Sequence, residues 1–255
     1  MRTASDRILS NLKLRKPTEE ANQEASLREV RLGAARCVYV EASSHFTVDG
    51  DTNVGAINSL CREGIVMVGE VQTLDGVLCK ADTLVLLGRV LGNKNSPYFS
   101  SEEPGQFLKQ AIEILKDGMK HYGDSDPDLK KSLSTALYAS AQFFVYDECG
   151  GNSTSSRFKA ALDLLIEDFK MIPILEYPDH KSHFLGMALL KFAALKSAKE
   201  DDLKSFGKSF DSLTLTQGSS PQEHILNIAQ HFLLDTIETR LKHLKGNNFG
   251  SLSKL

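Results

Sequence analysis

The stretch AIEILKDGMK, residues 111–120, returns fifty positions later as ALDLLIEDFK, residues 161–170. Seven of the ten aligned positions keep the residue or its type, and a loop with proline and a second apolar helix follow each stretch. The apolar residues recur at the 3.6-residue spacing of an amphipathic helix. A helix pair that recurs along a chain is typical of helical-repeat proteins. The sequence therefore predicts an all-α fold, an α-α superhelix of about nine or ten helices.

The composition favours one domain, because no shift along the 255 residues marks a boundary. Hydrophobic residues make up 41% and charged residues 25%, as in ordinary globular chains. We predict an N-terminal arm over 1–16, flexible or docking, and a single helical-repeat domain over 17–245. Residues 17–76 would form an atypical cap and 77–245 the helix pairs, with a C-terminal tail over 246–255.

Charge and cysteine usage exclude several classes of protein. The net charge of −3 gives no global field for nucleic acid or an anionic membrane. No stretch has the pattern of a signal peptide or the length of a membrane span. The four cysteines show no CxxC pair or short spacing, which argues against a disulfide framework. We expect a protein of the cytoplasm or the nucleus.

Periodicity and turn residues place the individual helices. We expect them over about 18–42, 52–72, 77–92, 105–122, 127–147, 156–172, 179–199, 201–213 and 221–245. A strand over 38–48 is an alternative, because VYVEASSHFTV is rich in β-branched and aromatic residues. Gly64 is a possible helix break. Gly88 lies inside a helix, which indicates close approach of a neighbouring helix.

Alternating large and small residues carry a family resemblance. The three sets are Leu84, Leu87, Gly88 and Leu91 followed by Ala111, Leu115 and Gly118; Leu137, Ala141 and Phe144 followed by Ala161 and Leu165; and Phe184 and Ala188 with Phe206 and Phe210. This pattern, over about 77–215, resembles degenerate tetratricopeptide repeats, although HEAT-type or armadillo-type pairs describe it almost as well. The resemblance implies a protein-binding helical stack. No copy has the family's Trp, and its peptide clamp of Lys, Arg and Asn cannot be placed, so no functional residue is carried over.

The two ends of the chain carry a second, narrower resemblance. The start, RILSNLKLRKP over 7–17, and the helical end around 203–237 are similar to the ends of the small tetratricopeptide-like partner protein of huntingtin. The middle of the chain does not align with it.

The first functional hypothesis is a non-catalytic scaffold or adaptor, a subunit of a larger complex that binds a partner protein. Exposed loop aromatics are the best candidate anchors, because such side chains dominate interface energies. They are Tyr98, Phe99, Tyr146 and Tyr177. No phosphate loop or nucleophile elbow occurs, and the sequence predicts no catalytic, cofactor-binding or metal-binding residue.

Two alternatives remain open. A helical repeat could bind nucleic acid through a lysine ridge of Lys191, Lys196, Lys199, Lys204 and Lys208, which Glu200, Asp201 and Asp202 dilute. A helical enzyme could hold a metal at His180 and His183, three residues apart at a helix start.

Overall fold

A computed structural model describes residues 20–49, 53–70, 73–92, 103–146, 155–172, 176–195, 197–211 and 218–252. In these ranges the chain forms nine α-helices and no strand, which confirms the all-α class. They are α1 (Glu20–Asp49), α2 (Val54–Val68), α3 (Leu74–Leu91), α4 (Glu103–Tyr122), α5 (Pro127–Tyr146), α6 (Ser155–Met171), α7 (Asp179–Ala194), α8 (Glu200–Ser209) and α9 (Pro221–Leu252). The superhelical arrangement stays a prediction.

The helices belong to two compact units, divided between Ala139 and Ser140 inside α5. The sequence showed no boundary there, because one helix runs through the division and neither composition nor a Gly or Pro marks it. The single domain over 17–245 stays a prediction, and the arm over 1–16 lies outside the described residues.

The first unit starts with two helices of unequal length, the long α1 and the short α2. At 1.5 Å per residue, the 30 residues of α1 extend about 45 Å and the 15 residues of α2 about 22 Å. A Cβ atom on Gly64 of α2 would lie 3.6 Å from the Val38 side chain of α1, so α2 runs back along the second half of α1. The first half of α1 extends beyond α2.

Gly88 confirms the close approach that the sequence predicts. A Cβ atom at this position of α3 would lie 2.7 Å from Cγ of Leu108 and 3.2 Å from the carbonyl oxygen of Pro104, both on α4. Glycine therefore brings α3 and α4 together. The apolar core beside this contact joins α1, α2 and α3 through buried residues that include Ala42, Ile57 and Leu87.

The second unit has an aromatic core. The rings of Phe210 and Phe232 lie 5.5 and 5.6 Å from that of Phe169, and Tyr177 meets the same ring edge-on at 5.2 Å. Phe192 and Phe206 form a further edge-to-face pair. Such geometry suits the aromatic quadrupole, so the phenylalanines of this half fix α6, α7, α8 and α9 against one another.

The sequence repeat reappears as a repeat of burial. Within each ten-residue stretch, the first, second, fifth and eighth positions are buried. At the eighth position the two copies differ. Gly118 is close to Leu129, the third residue of α5, whereas Asp168 forms an ion pair with Lys181, the third residue of α7. The second copy thus replaces an apolar contact between successive helices with a buried pair of charges.

Several predicted boundaries are wrong. Residues 38–48 lie in α1, so the strand alternative is wrong, and Gly64 does not break α2 because it packs against α1. Helix α7 ends at Ala194 rather than near 199, since Leu195 adopts an extended backbone conformation. Helix α9 runs through the predicted tail to Leu252.

Candidate functional site

Helix α9 carries apolar residues on two opposite faces. One face is buried in the second unit and consists of Ile225, Ile228, Ala229, Phe232 and Thr236. At roughly 100° per residue, Leu234, Ile237 and Leu241 project from the opposite side. Their exposed fractions are 59%, 52% and 50%. We call these three residues the outer face of α9.

Acidic side chains border the outer face. At roughly 100° per residue, the exposed Glu238 lies about 40° from Leu234, and Asp235 and Lys242 are exposed on the same side of the helix, farther from the stripe. An apolar stripe with charges along one edge suits contact with an amphipathic helix whose apolar residues are flanked by basic ones.

A second apolar surface lies in the first unit, where α1 extends beyond α2. The first half of α1, the end of α2 and the start of α3 enclose a cleft of about 730 Å³. Its apolar lining consists of Ala25, Leu32, Val66, Met67 and Val68. Val66 is 80% exposed, the highest value among the large hydrophobic residues that the structure describes. We call this region the α1 cleft.

Tyr177 is the one predicted aromatic anchor whose side chain lies in the part of the chain that the structure describes. Tyr98 and Phe99 lie outside the described residues, and so does the side chain of Tyr146 at the end of α5. Tyr177 is only 6% exposed and packs against Phe169. The prediction of an exposed anchor is wrong for Tyr177, because its ring is buried in the aromatic core.

The lysines of the predicted ridge are interleaved with carboxylates. Lys191, Lys199, Lys204 and Lys208 are exposed, and Lys196 lies outside the described residues. Nζ of Lys204 is 2.8 Å from Oε1 of Glu200, a pairing that raises the pKa of the lysine. Asp202, in the same helical turn, faces Lys159 at 3.9 Å. Local neutralisation of this kind weakens a phosphate-binding field.

The candidate metal ligands, His180 and His183, lie near the start of α7, and Cys61 and Cys79 are buried thiols. His180 and His183 are exposed on the first turn of α7. In the part of the chain that the structure describes, no three His, Cys, Asp or Glu side chains come together as metal ligands. Burial raises the pKa of the Cys61 thiol to about 12, and burial also raises that of Cys79. Both thiols are therefore protonated and unreactive at neutral pH.

The sequence contains the signal for the outer face, although the repeat pattern hides it. Leu234, Ile237 and Leu241 follow the i, i+3, i+7 spacing of one helical stripe, and Ile225, Ile228 and Phe232 do the same on the other side. Taken together, the two stripes resemble one broad apolar face. The α1 cleft has no such signal, because it depends on the unequal lengths of α1 and α2.

Comparison of the chain with protein-family models, with curated proteins and with solved structures finds no match in any of the three. The tetratricopeptide resemblance therefore stays a prediction. Among the described helices, none has the length and apolarity needed to cross a membrane.

Proposed function

We propose that this protein is a non-catalytic scaffold or adaptor, a subunit of a larger complex, and that the outer face of α9 binds an amphipathic helix of a partner protein. The observation that carries the proposal is the pair of opposite apolar faces on α9. A helix buried on one side only has polar residues on its other side. Leucine and isoleucine at three successive stripe positions therefore support a second packing partner.

The size of the outer face favours a partner helix over a second copy of the chain. Complete burial of a Leu or Ile side chain contributes about 1.5–3 kcal/mol, so three half-exposed side chains contribute about 1 kcal/mol each, which at about 25 cal/mol per Å² corresponds to roughly 120 Å² in total. A stable dimer needs about 800 Å² from each copy. A partner helix that extends past the three residues can bury the additional area that a symmetric contact of two stripes lacks.

The charges select the chemistry of the partner. Asp235 and Glu238 outnumber Lys242 along one edge and favour a helix with Lys or Arg beside its apolar residues. The cysteines that the structure describes, Cys37, Cys61 and Cys79, are free thiols, which supports a reducing compartment such as the cytoplasm or nucleus.

Site-specific crosslinking tests the proposal. A photoreactive amino acid at position 237 is expected to capture a protein that the same amino acid at Val40 does not capture, because Val40 is an apolar residue of at least equal exposure on a different helix, α1. The crosslinked segment, made as a synthetic peptide, should be helical when bound and have basic residues beside its apolar face. Its affinity should fall about a hundredfold for L234S/I237S/L241S.

Three results would contradict the proposal. The first is that positions 237 and 40 crosslink to the same protein. The second is that the peptide binds the triple variant as tightly as the unchanged chain. The third is that position 237 crosslinks to a second copy of the chain.

A further inference from the structure

The α1 cleft has apolar walls that neither α2 nor α3 covers. Only 15 of the 30 residues of α1 can pair with α2, and the half that extends beyond it still carries Leu27, Val30 and Leu32 at half-buried positions. At the other wall, Val66, Met67 and Val68 end α2. A cleft of about 730 Å³ lies within the range of sites that bind apolar ligands.

The segment that precedes α1 has the pattern of a ligand for such a cleft. Ile8, Leu9 and Leu12 follow the i, i+1, i+4 spacing that places three apolar side chains on one face of a helix. Helices bind in apolar grooves through anchors of this kind. Five basic residues, of which Arg7 and Lys13 adjoin the anchors, keep the rest of the segment polar.

The length of the connection allows the segment to reach the cleft. Leu12 lies eight residues before Glu20, which is about 26 Å of extended chain. The residues of α1 that line the cleft, from Ala25 to Leu32, lie about 8–18 Å along the helix from Glu20. Because the arm is covalently connected to α1 over so short a distance, its effective concentration at the cleft is about millimolar. A weak apolar contact between the arm and the cleft therefore suffices for binding.

We infer that residues 1–16 bind in the α1 cleft of the same chain, with Ile8, Leu9 and Leu12 against Val66 and Leu32. This inference does not rest on the proposed function, because it concerns another surface on another unit. Any other protein segment that binds the cleft has to displace the arm. The apparent affinity of that segment is therefore lowered, being proportional to the fraction of chains in which the arm is not bound.

Tryptophan fluorescence tests the inference in the full chain, which has no tryptophan of its own. V66W places a reporter in the cleft, and V40W places a matched control on the exposed side of α1. In the V66W chain, I8S/L9S/L12S is expected to shift the emission to longer wavelength and to raise acrylamide quenching at least twofold. The same changes in the V40W chain should alter neither quantity. Deletion of residues 1–16 should reproduce the effect on V66W.

Equal quenching of V66W with and without the arm substitutions would overturn the inference. It would also be overturned if the protection of V66W fell on dilution, because the arm would then bind a second copy. Far-ultraviolet circular dichroism should change by no more than the helix of the arm itself contributes, and a larger loss of helix after the arm changes would contradict a purely local docking contact.

Discussion

Asp168 is a carboxylate without solvent exposure, and its charge is balanced by one neighbour. Oδ2 accepts a hydrogen bond of 2.7 Å from Nζ of Lys181, which is itself buried, while Oδ1 accepts none from the described residues. Desolvation of two charges is costly, and the attraction between them offsets only part of that cost. The first copy of the repeat meets the same packing requirement with Gly118 and Leu129, which carry no charge.

The two copies together predict how the ion pair responds to substitution. K181L leaves the Asp168 carboxylate buried and unbalanced, and should lower the free energy of unfolding by about 3–5 kcal/mol. D168A/K181L imitates the apolar contact of the first copy and should be clearly less destabilised than K181L alone. Urea denaturation of the three chains measures the difference. A double variant as unstable as K181L, or more so, would contradict this account.

The sequence repeat aligned Gly118 with Asp168 but could not show what Asp168 binds. Its partner is set by the register between α6 and α7, and residues 173–178 between them contain two prolines and no residue that the first copy repeats. An acidic residue on a helix surface is normally solvated, so the aligned pattern alone favoured exposure.

Helix pairs in the first unit depend on glycine at their points of contact. The backbones of α3 and α4 approach so closely at Gly88 that any side chain would overlap Leu108. The cost of glycine in a helix, up to about 1 kcal/mol relative to alanine, is offset by the contact it allows. Gly33 in α1 is different, because no atom lies within 4 Å of where its Cβ would be.

Alanine at these two glycines should therefore have opposite effects. G88A should lower the free energy of unfolding by about 1–2 kcal/mol, since overpacking exceeds the gain in helix propensity. G33A should raise it by up to about 1 kcal/mol, since only the propensity changes. Thermal and urea unfolding of both variants against the unchanged chain provide the measurement. A G88A chain as stable as G33A would show that α3 and α4 do not approach closely at Gly88.

Most helices were predictable, because turn residues and the 3.6-residue period mark them locally. Helix α4 ends at Tyr122 and α5 begins at Pro127, where the sequence predicts. The continuation of α1 through 38–48 was not predictable, because β-branched residues there suit either structure and packing against α2 decides. The candidate surfaces depend on packing even more, since a residue such as Leu234 is exposed only because Phe232 and Thr236 face inward.

For the molecule as a whole, the net charge favours a protein-binding module over a nucleic-acid-binding one. A net charge of −3 gives no long-range attraction for phosphates. The lysines on and around α8 could act only locally. There Glu200 engages Lys204 directly, and Asp201 and Asp202 begin the same helix, where its dipole favours acidic residues.

The chain should accordingly not bind single-stranded RNA or duplex DNA, even at about 50 mM salt, where phosphate contacts are strong. Removing the three acidic charges with E200Q/D201N/D202N should create weak binding, because Lys199, Lys204 and Lys208 then act without the carboxylates of the first turn of α8. That binding should fall steeply with added salt and disappear in K204E/K208E. Fluorescence anisotropy of a labelled oligonucleotide measures all three chains. Salt-sensitive binding by the unchanged chain, abolished by K204E/K208E, would instead identify the ridge as a nucleic-acid site.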